Sequence, residues 1–161
     1  RSRPVMFAFT QEEEKKIAKI IGKYPVKRSA LLPLLTLVQR REGYISPDAM
    51  KAIGQKLELS PAYVQSVMSF YTMYHTHPTG KYIILFCINI SCQLNGADEL
   101  MQYASEKLDI KVGETTTDKK FTLHREECLA ACCGGPMMRV NDTFYENLTK
   151  EKIDQVLDSL P

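Results

Sequence analysis

Three of the chain's five cysteines, Cys128, Cys132 and Cys133, crowd into ECLAACCGG (Glu127 to Gly135), and the other two, Cys87 and Cys92, stand in FCINISC. By spacing they form two pairs, Cys87-x4-Cys92 and Cys128-x3-Cys132, with 35 residues between the pairs and Cys133 left over. Zinc accepts four thiolates in a tetrahedron, but its ligand pairs usually have the tighter C-x2-C knuckle, so spacings of four and three suit it poorly. A dithiol–disulfide enzyme needs C-x-x-C at the start of a helix, and the chain has no such motif. A [2Fe–2S] cluster needs two cysteines on each iron, a demand that two separated pairs meet even though the plant-type C-x4-C-x2-C order is absent. Free cysteine also packs as a small hydrophobe, although scattered core cysteines are not expected to fall into short-spaced pairs. Spacing alone does not choose between Cys132 and Cys133 as the fourth thiol.

The surroundings are informative. Gly134, Gly135 and Pro136 give a backbone able to wrap tightly, with unencumbered amides that can donate to sulfur. The chain of 161 residues, 44% hydrophobic and 25% charged, has enough apolar content to bury a core without disulfides. Its net charge of +2 and its scattered lysines and arginines exclude a basic nucleic-acid footprint. The longest apolar run, ALLPLLTLV (Ala30 to Val38), contains a proline and is far shorter than the ~20 residues of a membrane span. The segment RSRPVMFAFT lacks a signal peptide's apolar centre, so a reducing compartment is expected. Clustered thiols there point to metal or redox chemistry, and the Asn147-Leu148-Thr149 sequon carries no meaning.

Elements must position these thiols. The first half reads as helices. Thr10 with Glu13 forms a capping box ahead of Ile17, Ile20 and Ile21. A second helix is expected from about Lys27 to Arg41, closing at Gly43 on the period of Leu31, Leu34, Leu35 and Val38; Pro33 argues for a later start. Ser46-Pro47 and Ser60-Pro61 each place an N-cap before a first-turn proline, opening helices over about 48–57 and 61–71. HTHPTG (His75 to Gly80) is a boundary of turn formers. Beyond it, Lys81 to Phe86 reads as a strand, Asp98 to Leu108 as a helix, Phe121 to His124 and Met137 to Val140 as strands. Asn141 to Thr143 turns into Phe144-Tyr145 as a hairpin, and a helix capped at Thr149 carries Ile153, Val156, Leu157 and Leu160 on one face. The expected fold is α/β (α+β): an N-terminal helical bundle or arm over 1–77, then a small thioredoxin-like sandwich over 78–161. Each cysteine pair then lies in a loop after a strand, along one edge of the sheet.

Four segments occur in order: FYTMY (Phe70 to Tyr74), CINISCQLNGADEL (Cys87 to Leu100), KVGETTTDKKFTL (Lys111 to Leu123) and ECLAACCGGPMMRVND (Glu127 to Asp142). Together they closely resemble the NuoE subunit family of respiratory complex I, the NADH:quinone oxidoreductase, over nearly the whole chain. The resemblance implies a helical region followed by a thioredoxin-like ferredoxin domain with one [2Fe–2S] cluster, ligated by Cys87, Cys92, Cys128 and Cys132. The family's E-C-L-G-A-C is followed by a variable residue, and Cys133 occupies that position. A departure falls at Ala130, where the family commonly has glycine, implying a slightly tighter ligand loop.

The resemblance further implies a subunit of an NADH dehydrogenase that has no catalytic residues of its own. FMN and NADH belong to an NuoF-type partner beside other peripheral-arm subunits, and the cluster exchanges single electrons with that flavin. The chain itself has no G-x-G-x-x-G and no P-loop. The implied location is cytoplasmic, peripheral on the inner face of the cell membrane through the complex, or on the mitochondrial matrix side, without membrane insertion or nucleic acid. Two alternatives remain: the equivalent diaphorase subunit of an NAD-linked hydrogenase or formate dehydrogenase, and a non-redox zinc scaffold. His75 and His77 could mimic a Rieske histidine pair, a reading the four cysteines make superfluous. His124 reads as a packed or surface residue, and Phe70, Tyr71 and Tyr74 as aromatic core or interface material.

Overall fold

The computed structural model describes residues 7–161. Residues 1–6, part of the N-terminal segment read above for a signal sequence, lie outside the described residues. The chain divides between Pro78 and Thr79 into two compact units.

The first unit is helical because its sequence starts and stops helices clearly. Helix α1 (Gln11–Ile21) opens on Thr10, whose hydroxyl accepts from the Glu13 amide at 3.2 Å while the Glu13 carboxylate accepts from the Thr10 amide at 2.8 Å. The expected capping box is thus complete in both directions. The second helix starts later than Lys27, as Pro33 required. Lys27–Ala30 form a 3-10 turn, and α2 runs Leu31–Glu42 with Pro33 in its first turn, where a missing N–H breaks no intrahelical bond. Gly43 closes α2 at φ +78°, a left-handed conformation that glycine adopts without steric cost. Helices α3 (Pro47–Leu57) and α4 (Pro61–Phe70) begin at the two serine caps, each hydroxyl accepting from an amide three residues on.

Ile17, Leu34, Leu35, Val38, Ile53 and Met68 close the unit's core at 0–2% exposure, each contributing about 1.5–3 kcal/mol by burial. The uncharged tail after α4 is tied back to α2. The Gln39 side chain donates to the Met73 carbonyl at 2.6 Å and accepts from the His75 amide at 2.8 Å. Tyr74 donates to the Leu32 carbonyl at 3.0 Å. Among the described residues no helix is long and apolar enough to cross a membrane.

The second unit is a four-stranded sheet in the order β2-β1-β3-β4, with β1 Tyr82–Cys87, β2 Phe121–Glu126, β3 Met138–Val140 and β4 Thr143–Tyr145. Strands β1 and β2 are parallel, pairing Tyr82 with Phe121 through Cys87 with Glu126. Strand β3 runs antiparallel to β1 and forms a hairpin with β4. Asn141 makes that turn at φ +51° and its side chain accepts from the Ile83 amide at 2.9 Å, the kind of local bond that lets Asn tolerate the left-handed region. The outer edge of β2 is covered by the 113–116 segment, whose Gly113 and Thr116 amides donate to the Leu123 and Phe121 carbonyls, so it offers no free ladder to another chain.

Side chains alternate across this sheet with period two. Ile84 and Phe86, with Phe121, Leu123, Met138 and Val140, face the core built with α6 (Ala97–Leu108) and α7 (Lys150–Ser159). Leu85 and Cys87 face the opposite side, among Cys92, Ala97, Leu129 and Met137. Both long helices therefore pack on one face, and the cysteine segments cover the other. Helices α6 and α7 are joined at their solvent side by Lys107, which pairs with Asp154 at 2.7 Å and Asp158 at 3.1 Å. Tyr103 donates to the same Asp154 carboxylate at 2.8 Å.

Two outcomes follow. Phe86→Ala removes a fully buried ring from the central strand and should lower unfolding free energy by about 3–5 kcal/mol, measured by denaturant titration. The bonds from Lys107 and then Tyr103 hold the Asp154 carboxyl below the usual carboxylate range. A depressed folded pKa contributes stability above the unfolded value, near 3.9, that is lost as pH falls through the folded one. Asp154→Asn should therefore lower the thermal midpoint at neutral pH and narrow the difference from wild type as the solution is acidified. A difference from wild type that stays constant down to strong acid would contradict this account.

Candidate cysteine site

Cys87 is the last residue of β1. Its amide donates to the Met137 carbonyl at 3.2 Å, and the Ile88 amide donates to the Glu126 carbonyl at 2.9 Å, so the strand end is gripped from both neighbouring strands. Asn89 then caps a short helix, α5 (Ile90–Leu94). One turn of helix after a strand end turns the x4 spacing into proximity: Cys92 comes back under Cys87. Both thiols are buried, at 0% and 1% exposure, while Ile90 and Leu94 of the same helix are 64% and 80% exposed.

The second pair is held differently. Cys128 and Cys132 are exposed, and the loop between them is anchored by Leu129, which is buried against Cys87 and Cys92. The Ala130 amide donates to the Cys128 sulfur at 3.3 Å. Ala130 itself sits at φ +58°, a conformation that costs an L-residue about 1–2 kcal/mol. Cys132 opens a 3-10 turn, Cys132–Gly134, tied to the first pair by a 3.4 Å bond from the Ser91 hydroxyl to the Cys132 carbonyl. The far end of the turn is fixed by the Asn147 amide, which donates to the Gly134 carbonyl at 2.6 Å.

The expectation that each pair lies in a loop needs correction. Cys87 ends a strand, Cys92 is helical and Cys132 lies in a 3-10 turn; of the four, Cys128 alone stands in irregular backbone. Helix α5 escaped the sequence reading because five residues, ISCQL, are too few to show a helical period.

Burial pushes the Cys92 thiol up to about 11, followed by the hydrogen bond and the negative charge of Cys87 beside it. The Met137 amide, donating to the Cys92 sulfur, pulls the other way, and the Cys132 charge adds a smaller rise. Cys87 and Cys92 are therefore brought together, with Cys132 within electrostatic reach. Among the described residues no group of three or more His, Cys, Asp or Glu side chains converges as a ligand set, so the four sulfurs are not closed around a common centre.

The donor chemistry nevertheless fits a thiolate-bound iron group. Burial and the neighbouring Cys87 make the Cys92 thiol resist ionisation, and a metal cation reverses that preference. Gly135 makes room for Cys92: a Cβ there would lie 3.2 Å from its sulfur, pressing on that atom. The Ala130 and Met137 amides already point at two of the sulfurs, the kind of donor that offsets thiolate charge.

The chain matches the thioredoxin-like [2Fe–2S] ferredoxins over residues 17–161. It belongs to that family. The expected thioredoxin-like ferredoxin fold is thus the family's own. Among named relatives, the chain is 43% identical over 96% of its length to NADH dehydrogenase [ubiquinone] flavoprotein 2, mitochondrial, of Dictyostelium discoideum, spanning 64% of that protein. It is 41% identical over 94% of its length to an NADH-quinone oxidoreductase subunit of Rickettsia felis, spanning 93% of that one. A crystal structure of an NAD+-reducing [NiFe]-hydrogenase contains a similar fold, with a TM-score of 0.69 over 79% of this chain and 22% of that one at 20% identity.

Sequence reasoning did not single out Ser91, Leu129 as an anchor, or the Met137 amide. Ser91 and Leu129 each neighbour a cysteine and were visible only as context. The Met137 amide carries no side-chain signal at all. The burial pattern predicts that, in the metal-free chain, a thiol reagent modifies Cys128, Cys132 and Cys133 quickly. Cys87 and Cys92 should react only at the rate of unfolding, as read by mass mapping of the labelled sites.

Proposed function

We propose that this chain is the [2Fe–2S] electron-transfer subunit of an NADH:quinone oxidoreductase, with Cys87, Cys92, Cys128 and Cys132 as cluster ligands. The observation that carries the reading is the buried Cys87–Cys92 pair on the helix-free face of the sheet, with Cys132 in electrostatic reach of it. A bound [2Fe–2S] cluster supplies reversible one-electron transfer. Cys87 and Cys92 offer a fixed pair of sulfurs, and the 128–132 loop offers the second. The bond from the Ser91 hydroxyl to the Cys132 carbonyl, which ties Cys132 to the helix carrying Cys92, supports Cys132 over Cys133 as the fourth ligand. Gly135 leaves the Cys92 sulfur uncompressed, Leu129 holds the loop against the first pair, and burial of Cys87 and Cys92 keeps water from half of the ligand set.

The relatives named as NADH dehydrogenase and NADH-quinone oxidoreductase subunits support an assembly in which FMN and NADH are held by an NuoF-type partner. This chain exchanges electrons with that flavin beside other peripheral-arm subunits. The assembly sits on the inner face of the cell membrane, or on the matrix side in a mitochondrion. The hydrogenase likeness bears on fold, so it does not favour the diaphorase alternative. The amides aimed at sulfur suit a site whose negative charge changes, which a zinc scaffold does not require.

Iron and acid-labile sulfide analysis with electron paramagnetic resonance tests the reading. Protein purified without oxygen should be silent when oxidised and, after dithionite, show a signal approaching one unpaired electron per chain. Bound zinc without iron would refute it. Cys92→Ala and Cys132→Ala should each abolish the signal, and Cys133→Ala should leave it intact.

A further inference from the structure

Arg139 lies in the middle of β3 and pairs directly with Leu85 on one side and Phe144 on the other. Its strand neighbours Met138 and Val140 face the helix-covered core, so alternation puts Arg139 on the opposite face with Leu85 and Cys87. Across that face one row reads His124, Leu85, Arg139, Phe144, and the adjoining row along β2 and β1 holds Glu126 and Cys87. Arg139 and Cys87 are therefore diagonal cross-strand neighbours, about 7–8 Å apart at their backbones and within reach of a long side chain. Its guanidinium carbon lies 5.9 Å from the Phe144 ring centroid, on the β4 side of β3, so its charge acts on Cys87 across the sheet face and not by contact.

Its hydrogen bonding is unusual for a half-buried cation. The Nε of Arg139 is buried and has no hydrogen-bond partner among the described residues. Native structures rarely leave such a donor unmet without a use for it. Arginine stays charged at any pH the fold survives. Among the described strand residues on this face it supplies the fixed positive charge; the other titratable groups there are His124 and Glu126 of β2. Burial lowers the His124 pKa, which favours its neutral form.

We propose that Arg139 is a positioning residue for electrons: its charge, on the same sheet face as Cys87, raises the reduction potential of the group those cysteines hold. The inference rests on the cluster reading above. When a one-electron donor such as dithionite or a reduced flavin reduces the site, one unit of negative charge is added among the thiolates. A guanidinium with no carboxylate partner among the described residues, in a partly desolvated place, favours that reduced form more than water does.

The test compares midpoint potentials of the full chain with its cluster, by redox titration followed by electron paramagnetic resonance, in wild type, Arg139→Gln, Arg139→Lys and Phe144→Leu. Iron and sulfide are measured for each. The neutral variant should shift to a lower potential, whereas Arg139→Lys should stay near wild type and Phe144→Leu should follow wild type. An unchanged potential in Arg139→Gln with full iron would overturn the proposal, as would a lysine variant shifted as far as glutamine, since shape and not charge would then matter. Wild-type protein without iron would instead overturn the cluster reading, and this inference with it.

Discussion

The two-sidedness of β1 is the constraint from which the rest of the second unit follows. Along six residues, Ile84 and Phe86 point to one face while Leu85 and Cys87 point to the other, because successive side chains of a strand cannot share a face. The apolar stripes of α6 and α7 then have one place to go. Once both helices are spent on the Ile84–Phe86 face, the opposite face is left for shorter covers: a single turn of helix, an anchored loop and a 3-10 turn. Those covers hold four of the five cysteines, and the fifth, Cys87, ends β1 itself. A one-residue slip of β1 would exchange Cys87 with Phe86 and bury the thiol under the helices, which is why register and site cannot vary independently.

This division explains the unequal treatment of the two thiol pairs. Cys87 is fixed by ladder bonds to β2 and β3, and Cys92 by a capped helix packed beneath it, so both have the rigidity of regular structure. Cys128 and Cys132 depend on Leu129 as an anchor and on a turn tied down at Gly134. The pair with the rigid scaffold is also the pair shielded from water, and burial is the first cause of the elevated Cys92 pKa. A cation bound to such thiols offsets their charge directly, so the burial that disfavours a free Cys92 thiolate suits a metal-bound pair.

Much of the fold was legible because its signals are local. The Thr10–Glu13 box, the Ser46 and Ser60 caps, Gly43 and the Asn141 turn each state in a few residues how backbone amides are to be satisfied, and each stands where expected. Pro33 delayed α2 for the reason foreseen. Helix α5 was not legible, since one turn carries no periodicity, and its omission misplaced Cys92 in a loop. Arg139 was invisible as well: in PMMRVND it reads as an ordinary strand arginine, and its unmet Nε exists only once β1 and β4 flank it.

The sequence by itself determined the inventory: two short-spaced thiol pairs, a fifth cysteine beside one of them, a glycine-rich wrap and a strand–helix–hairpin order around them. Short-range steric and hydrogen-bonding rules are enough to read these. Only the tertiary structure decided which thiols are shielded and which sheet face they share. Those properties arise from pairings across 35 residues or more, as between Tyr82 and Phe121 or Leu85 and Arg139. Strand alternation fixes which side chains must part company. It takes the packing of α6 and α7 to decide which of the two faces becomes the core and which is left for the cysteines.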